Sequence, residues 1–175
     1  MSLLVLTVIG PDRPGLVESI AEAITAHQGN WMESRMAHLG GKFAGILRVS
    51  VPASEVESLK SHLKELCEKG LYIHTETDTA ERAEEEFLSV SLELVGGDRP
   101  GIVKEISHAL AGRGVNVEEL NTECVAAAMT GKSLFRAVAQ LRLPPDLGVD
   151  DLRHELEKVA HDLMVDIALN LPQGD

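Results

Sequence analysis

The chain alternates short apolar runs with longer apolar stripes, in the same order twice. Residues 3–9 (Leu-Leu-Val-Leu-Thr-Val-Ile) are β-branched and apolar and end at Gly10-Pro11, which predicts a buried strand. Leu16, Ile20, Ala23 and Ile24 then recur at helical spacing as far as His27, and Gly29-Asn30 is expected to close that helix. Trp31 to Leu39 and Phe43 to Val51 read as strands joined by a tight turn at Gly40-Gly41-Lys42. Pro52 stops the second of these. Ser54 is placed to cap a helix striped by Val56, Leu59, Leu63 and Leu66, which Gly70 ends before a strand over 71–75. Residues 78–86 are acidic and lack a stripe, hence a linker.

The second half repeats the order. Leu88, Val90, Leu92 and Leu94 alternate with polar residues; Ile102, Val103, Ile106 and Leu110 stripe a helix that ends at Gly112-Arg113-Gly114. Val117 to Ala127 and Leu134 to Leu143 are strands around a less regular loop at 128–133. Leu152, Leu156 and Val159 stripe the last helix, and Val165, Ile167, Leu169 and Leu171 point inward from the last strand. Two strand-helix-strand units with interleaved hairpins predict an α+β fold: two ferredoxin-like (βαββαβ) domains, residues 1–77 and 87–175, each a four-stranded antiparallel sheet with two helices on one face. The open sheet face of the second half is polar (Ser89, Ser91, Glu93, Arg136, Gln140, Arg142, Asp166, Asn170). That of the first is apolar (Leu3, Val5, Thr7, Ile9, Ile46, Tyr72) and is expected to be covered by the other half, a second chain or a partner protein.

The repeat is sharpest between the first strand and first helix of each half. Gly10-Pro11-Asp12-Arg13-Pro14-Gly15-Leu16-Val17 is matched by Gly96-Gly97-Asp98-Arg99-Pro100-Gly101-Ile102-Val103. Asn30 and Asn116 follow at the same interval, 30 − 12 = 116 − 98 = 18. Asp12 reads as a helix cap whose carboxylate accepts the Gly15 N–H, with Pro14 in the first turn. A helix start also offers free N–H groups and partial positive charge to an α-carboxylate. Gly15 and Gly101 remove a Cβ that would hold a ligand off the backbone. Asn30 and Asn116 can serve a carboxylate and an ammonium at once, matching a zwitterion. A well-made helix start followed by a turn asparagine explains the same residues without a ligand. Arg13 and Arg99 read as solvated charges on the outer side of the helix, with a carboxylate clamp as the other role.

Composition narrows the classes. With 16 Lys and Arg against 28 Asp and Glu, the net charge of −12 argues against direct nucleic-acid binding. No apolar run approaches the length of a membrane span, no basic amphipathic helix suits a membrane surface, and the first residues read as a strand and not a signal peptide. Cys67 and Cys124, without C-x-x-C spacing, read as core thiols in a reduced cytoplasmic setting. Of seven histidines only His154 and His161 share a predicted helix face, so neither metal nor cofactor is expected. No nucleophile-base pair or phosphate loop points to an enzyme.

The Asp-Arg-Pro-Gly motif, the asparagine at strand two and the element order resemble the ACT domain, a small amino-acid-sensing module. Glu33-Ser34-Arg35-Met36-Ala37-His38-Leu39-Gly40-Gly41-Lys42-Phe43 and Thr130-Gly131-Lys132-Ser133-Leu134-Phe135 extend the likeness to the glycine cleavage system transcriptional repressor family, across nearly the whole chain. That resemblance implies a non-enzymatic regulator that holds a DNA-binding activator in check, with glycine or a similar small amino acid as effector. It implies a site shared between domains: Asp12, Arg13, Pro14, Gly15 and Leu16 with Asn116, and Asp98, Arg99, Pro100, Gly101 and Ile102 with Asn30. The best-known sensors have asparagine where this chain has Asp12 and Asp98, a change that suits an ammonium group or a helix cap. Paired sheets and exposed strand edges favour a homodimer. The alternatives are a ligand-free interaction protein or a regulatory subunit of an amino-acid metabolic enzyme.

Overall fold

The computed structural model describes residues 1–78, 87–127 and 131–171. The chain forms two compact units, Met1–Arg82 and Ala83–Asp175. In the first, β1 (Ser2–Pro11), α1 (Leu16–Ala26), β2 (Asn30–Leu39), β3 (Lys42–Val51), α2 (Val56–Glu68) and β4 (Tyr72–Thr77) follow in order, with one 3-10 turn at Ala53–Glu55. In the second, the sequence is β5 (Leu88–Gly97), α3 (Ile102–Gly112), β6 (Asn116–Ala126), β7 (Ser133–Leu143), α4 (Val149–Leu163) and β8 (Val165–Asn170). The sheets have strand orders β2-β3-β1-β4 and β6-β7-β5-β8, all neighbours antiparallel. This is the expected ferredoxin-like arrangement.

Alternation along the central strands decides which face is covered. Leu4, Leu6 and Val8 of β1 are fully buried against Ile20 and Ile24 of α1 and Leu59 and Leu63 of α2. Val90, Leu92 and Leu94 of β5 take the same role beneath Ile102, Ile106 and Leu110 of α3 and Leu152 and Leu156 of α4. Three expected core positions fall outside: Leu88 is exposed at the start of β5, Val103 is exposed one step off its stripe, and Leu171 is exposed just past the end of β8. On the open face of the first sheet Ile9, Ile46 and Tyr72 stand exposed, and a groove of about 360 Å³ runs between Val5, Ile46 and the charged Glu33, Arg35, Arg48 and Asp78. Asp78 is bonded to this sheet, its N–H donating to the Leu3 carbonyl (2.8 Å) and its carboxylate pairing with Arg48 (2.7 Å). The remainder of the predicted linker, 79–86, and residues 128–130 of the β6–β7 loop lie outside the described residues.

The ends of the helices depart from the expected signals. Ser54 lies in the 3-10 turn and makes no side-chain cap to α2. At the end of α1 the left-handed residue is Gln28 (φ 55°), not Gly29, and the Gly29 N–H donates to Ile24 O at 2.9 Å, closing the last turn. Gly29 is glycine for space instead: a Cβ there would lie 2.8 Å from Ile24 Cγ2 and 2.9 Å from Ile24 O. The second unit places Gly114 (φ 69°) where the first has Gln28. At the end of the second helix the roles reverse, with Gly70 (φ 95°) in the first unit and Met164 (φ 51°) in the second. A side chain in this region costs about 1–2 kcal/mol, part of which glycine returns as unfolded-state entropy. Gln28→Gly and Met164→Gly should therefore each raise unfolding free energy by about 0.5–1 kcal/mol, read as a shift in urea midpoint at constant slope.

Candidate functional site

Both copies of the motif form the same turn. The Asp12 N–H donates to Gly41 O (3.0 Å) and the Asp98 N–H to Ser133 O (3.0 Å), so each turn hangs from the end of its unit's hairpin. The chain then passes through Gly15 (φ 87°) or Gly101 (φ 99°), the residue on which α1 or α3 starts. Neither helix has a side-chain cap, which corrects the expectation that Asp12 caps α1. The physical reason is the hairpin: with its N–H hooked onto Gly41, Asp12 turns its carboxylate toward His38, 3.7 Å from Oδ2 to Nδ1. His38 Nε2 accepts the Gly41 N–H at 3.3 Å, which leaves the ring proton on Nδ1, toward Asp12. The first amides of each helix thus have no capping side chain, and an anion can take that place.

Space lies over them in the first unit. A cavity of about 220 Å³ is bounded by Asp12, Gly15, Leu16, Val17 and Phe43, and an open cleft of about 390 Å³ adjoins it beside Pro14, Ser19 and Glu22. A Cβ on Gly15 would touch only Glu18 Oε2, at 3.9 Å, and one on Gly101 would touch nothing within 4 Å. Glycine is required here by the left-handed backbone and not by crowding.

Arg13 and Arg99 have a role that sequence spacing hides. The Arg13 guanidinium donates to Lys69 O at the end of α2 (2.8 Å), and Arg99 donates to Asp162 O at the end of α4 (3.0 Å). In both units the motif arginine ties the turn to the C-terminus of the other helix, where a cation also meets the negative end of the helix dipole.

Asn30 and Asn116 are exposed at the start of β2 and β6. The register sets their distance from the motif. Asn30 faces Ser50, which faces Leu3, nine residues along β1 from Asp12, or about 30 Å. Asn116 faces Arg142, which faces Ser89, nine residues from Asp98. Within a unit the turn and the asparagine therefore lie at opposite ends of one sheet.

The two turns carry different neighbours. Cys124 occupies in β6 the place of His38 in β2, each opposite a phenylalanine (Phe135, Phe43) on the next strand. Ser133 Oγ donates to the Asp98 carboxylate at 3.4 Å. Cys124 is exposed on an edge strand, which corrects its reading as a core thiol; Cys67 is half-buried. Local desolvation, then the Asp98 charge and hydrogen bond, hold the Cys124 thiol above its ordinary range. His38, Phe43, Cys124, Ser133 and Phe135 were absent from the sequence-predicted site. Laying one half on the other at the repeat offset puts Cys124 on His38 and exposes that link.

These features define the class: residues 2–76 match the ACT domain, and the second unit repeats its fold and motif. The chain belongs to the ACT-domain family. It is related to the glycine cleavage system transcriptional repressor of Escherichia coli, at 28% identity over 67% of this chain and 62% of the repressor, less than two thirds of that protein's length. Part of the chain is similar to the UPF0237 protein of Methanopyrus kandleri, 36% identical over 42% of this chain and 77% of that protein. A crystal structure of an unknown protein from Galdieria sulphuraria superposes with a TM-score of 0.88 at 32% identity, covering 98% of this chain and 99% of the other. A candidate glycine cleavage system transcriptional repressor shares the fold, with a TM-score of 0.72 at 20% identity over 99% of this chain and 98% of that one.

Cys124 reports on the second turn. Asp98→Asn removes the nearby charge that opposes thiolate formation, so Cys124 should alkylate faster with iodoacetamide at neutral pH, as followed by mass spectrometry. An unchanged rate would show that desolvation alone sets its reactivity.

Proposed function

We propose that the chain is an amino-acid-responsive regulator in which each motif turn closes on a small amino acid together with the asparagine of another ACT unit. The observation that carries this reading is the pair of helix starts entered through Gly15 and Gly101, both without a side-chain cap. The uncapped amides suit the α-carboxylate, and Asp12 or Asp98 suits the ammonium group. Because each asparagine lies about 30 Å from the turn of its own unit, a ligand that touches both needs two units. Such a ligand favours the arrangement in which the units close on it, and that differential affinity is what a regulator requires.

The likeness to the glycine cleavage system transcriptional repressor of Escherichia coli extends the proposal to transcriptional control of glycine cleavage genes. The acidic charge favours action through a DNA-binding activator over direct contact with DNA. The exposed Ile9, Ile46 and Tyr72 on the first sheet are the surface we assign to that protein contact.

Calorimetry with glycine, serine and alanine should show saturable binding that falls at least about tenfold in Asn30→Ala/Asn116→Ala, the effect of losing a charged hydrogen bond worth about 1.5–3 kcal/mol. Absence of heat with every small amino acid would end the sensor reading. Loss of partner binding in Ile46→Asp alone would then leave a ligand-free interaction protein.

A further inference from the structure

Away from the motif turns, the first unit brings together three side chains from distant parts of the chain. His27 is the residue that ends α1, Glu55 precedes α2, and His62 lies two turns into α2. His27 Nδ1 is 3.1 Å from Glu55 Oε2, and His27 Nε2 is 3.3 Å from His62 Nδ1, with the rings edge to face at 77°. All three are half-buried.

The chemistry of the chain of contacts is directional. An ionised carboxylate only accepts, so the Glu55 contact fixes the His27 proton on Nδ1 and leaves the Nε2 lone pair facing His62. Two imidazole nitrogens on one tetrahedral zinc, each about 2.0–2.1 Å from the metal, stand about 3.3 Å apart. The observed separation matches. A carboxylate behind a ligating histidine is the usual device for orienting the ring and raising its basicity. The position at the end of α1 also places a cation against the negative pole of that helix.

The second unit shows what the same place looks like without titratable rings. Arg113 ends α3 at the repeat offset from His27, and Glu155 follows Leu152 by three residues as His62 follows Leu59. Arg113 and Glu155 form an ion pair at 2.7 Å, which lowers the Glu155 carboxyl and raises the Arg113 guanidinium. A cation and an anion thus clasp the helices of one unit, while two imidazole rings face each other in the other.

We propose that His27 and His62 form a binding site for a divalent transition-metal ion such as zinc, with Glu55 as the carboxylate that orients His27. Among the described residues no group of three or more His, Cys, Asp or Glu could hold a metal, so water completes the coordination shell. On binding, the His62 proton moves from Nδ1 to Nε2 through solvent, and both rings stay neutral. Metal held here would lock α1 to α2 as the ion pair locks α3 to α4.

The test is zinc titration of the full chain at neutral pH by competition with a chromophoric chelator, with thermal unfolding as a second readout. Wild type should bind one zinc ion and show a zinc-dependent rise in Tm. His27→Arg/His62→Glu, which recreates the ion pair of the second unit and so preserves the clasp, should lose both. His62→Gln should lose binding as well, and Glu55→Gln should weaken it about 10–100-fold. No zinc bound by wild type, or zinc bound equally by the double variant, would overturn the proposal.

Discussion

Each half of this chain depends on a left-handed glycine between a buried strand and the helix that covers it. β1 and β5 bury every second side chain against two helices, so the chain must leave the strand and reverse over the sheet within a few residues. Gly15 and Gly101 allow that reversal, and the backbone hook from Asp12 to Gly41 or from Asp98 to Ser133 fixes where it happens. The same geometry that starts the helix leaves its first amides without a capping side chain. Fold and candidate site are therefore one constraint: an ordinary capped helix would have satisfied the sheet but filled the place where an anion can sit.

The duplication preserved backbone and let chemistry diverge. Strand order, register and even an irregularity one residue past the start of β2 and β6 recur in both units. The side chains around corresponding points do not. His38 stands beside one motif aspartate and Cys124 beside the other, and His27 with His62 becomes Arg113 with Glu155. A pair of related domains on one chain can thus carry different chemistry on one backbone plan.

Periodicity revealed the architecture because burial on a sheet or helix is itself periodic. Leu4, Leu6 and Val8, or Leu152 and Leu156, announce their faces in the order of residues alone. The motif turns were legible as well, since Gly-rich interruptions and their exact repetition stand out against any periodic background. What local pattern could not show were contacts closed over long separations. Arg13 meets Lys69, 56 residues away, and His27 meets Glu55 and His62, 28 and 35 away. The misassigned cap has the same origin: Asp12 has the right residue type for a cap, but a hairpin arriving from position 41 redirects it. Cys124 was misplaced because exposure in a sheet depends on whether a strand is central or at the edge, which alternation along that strand does not encode.

The tie from Arg13 to the last turn of α2 puts the turn and that helix in mechanical series. Moving the turn either breaks this bond or drags the helix end with it, and α2 runs through Gly70 straight into β4. Among the described residues β4 pairs with β1 alone, so it is an edge strand of its sheet. Arg99, α4 and β8 repeat the linkage. Load applied at the turn is therefore delivered to the rim of the sheet.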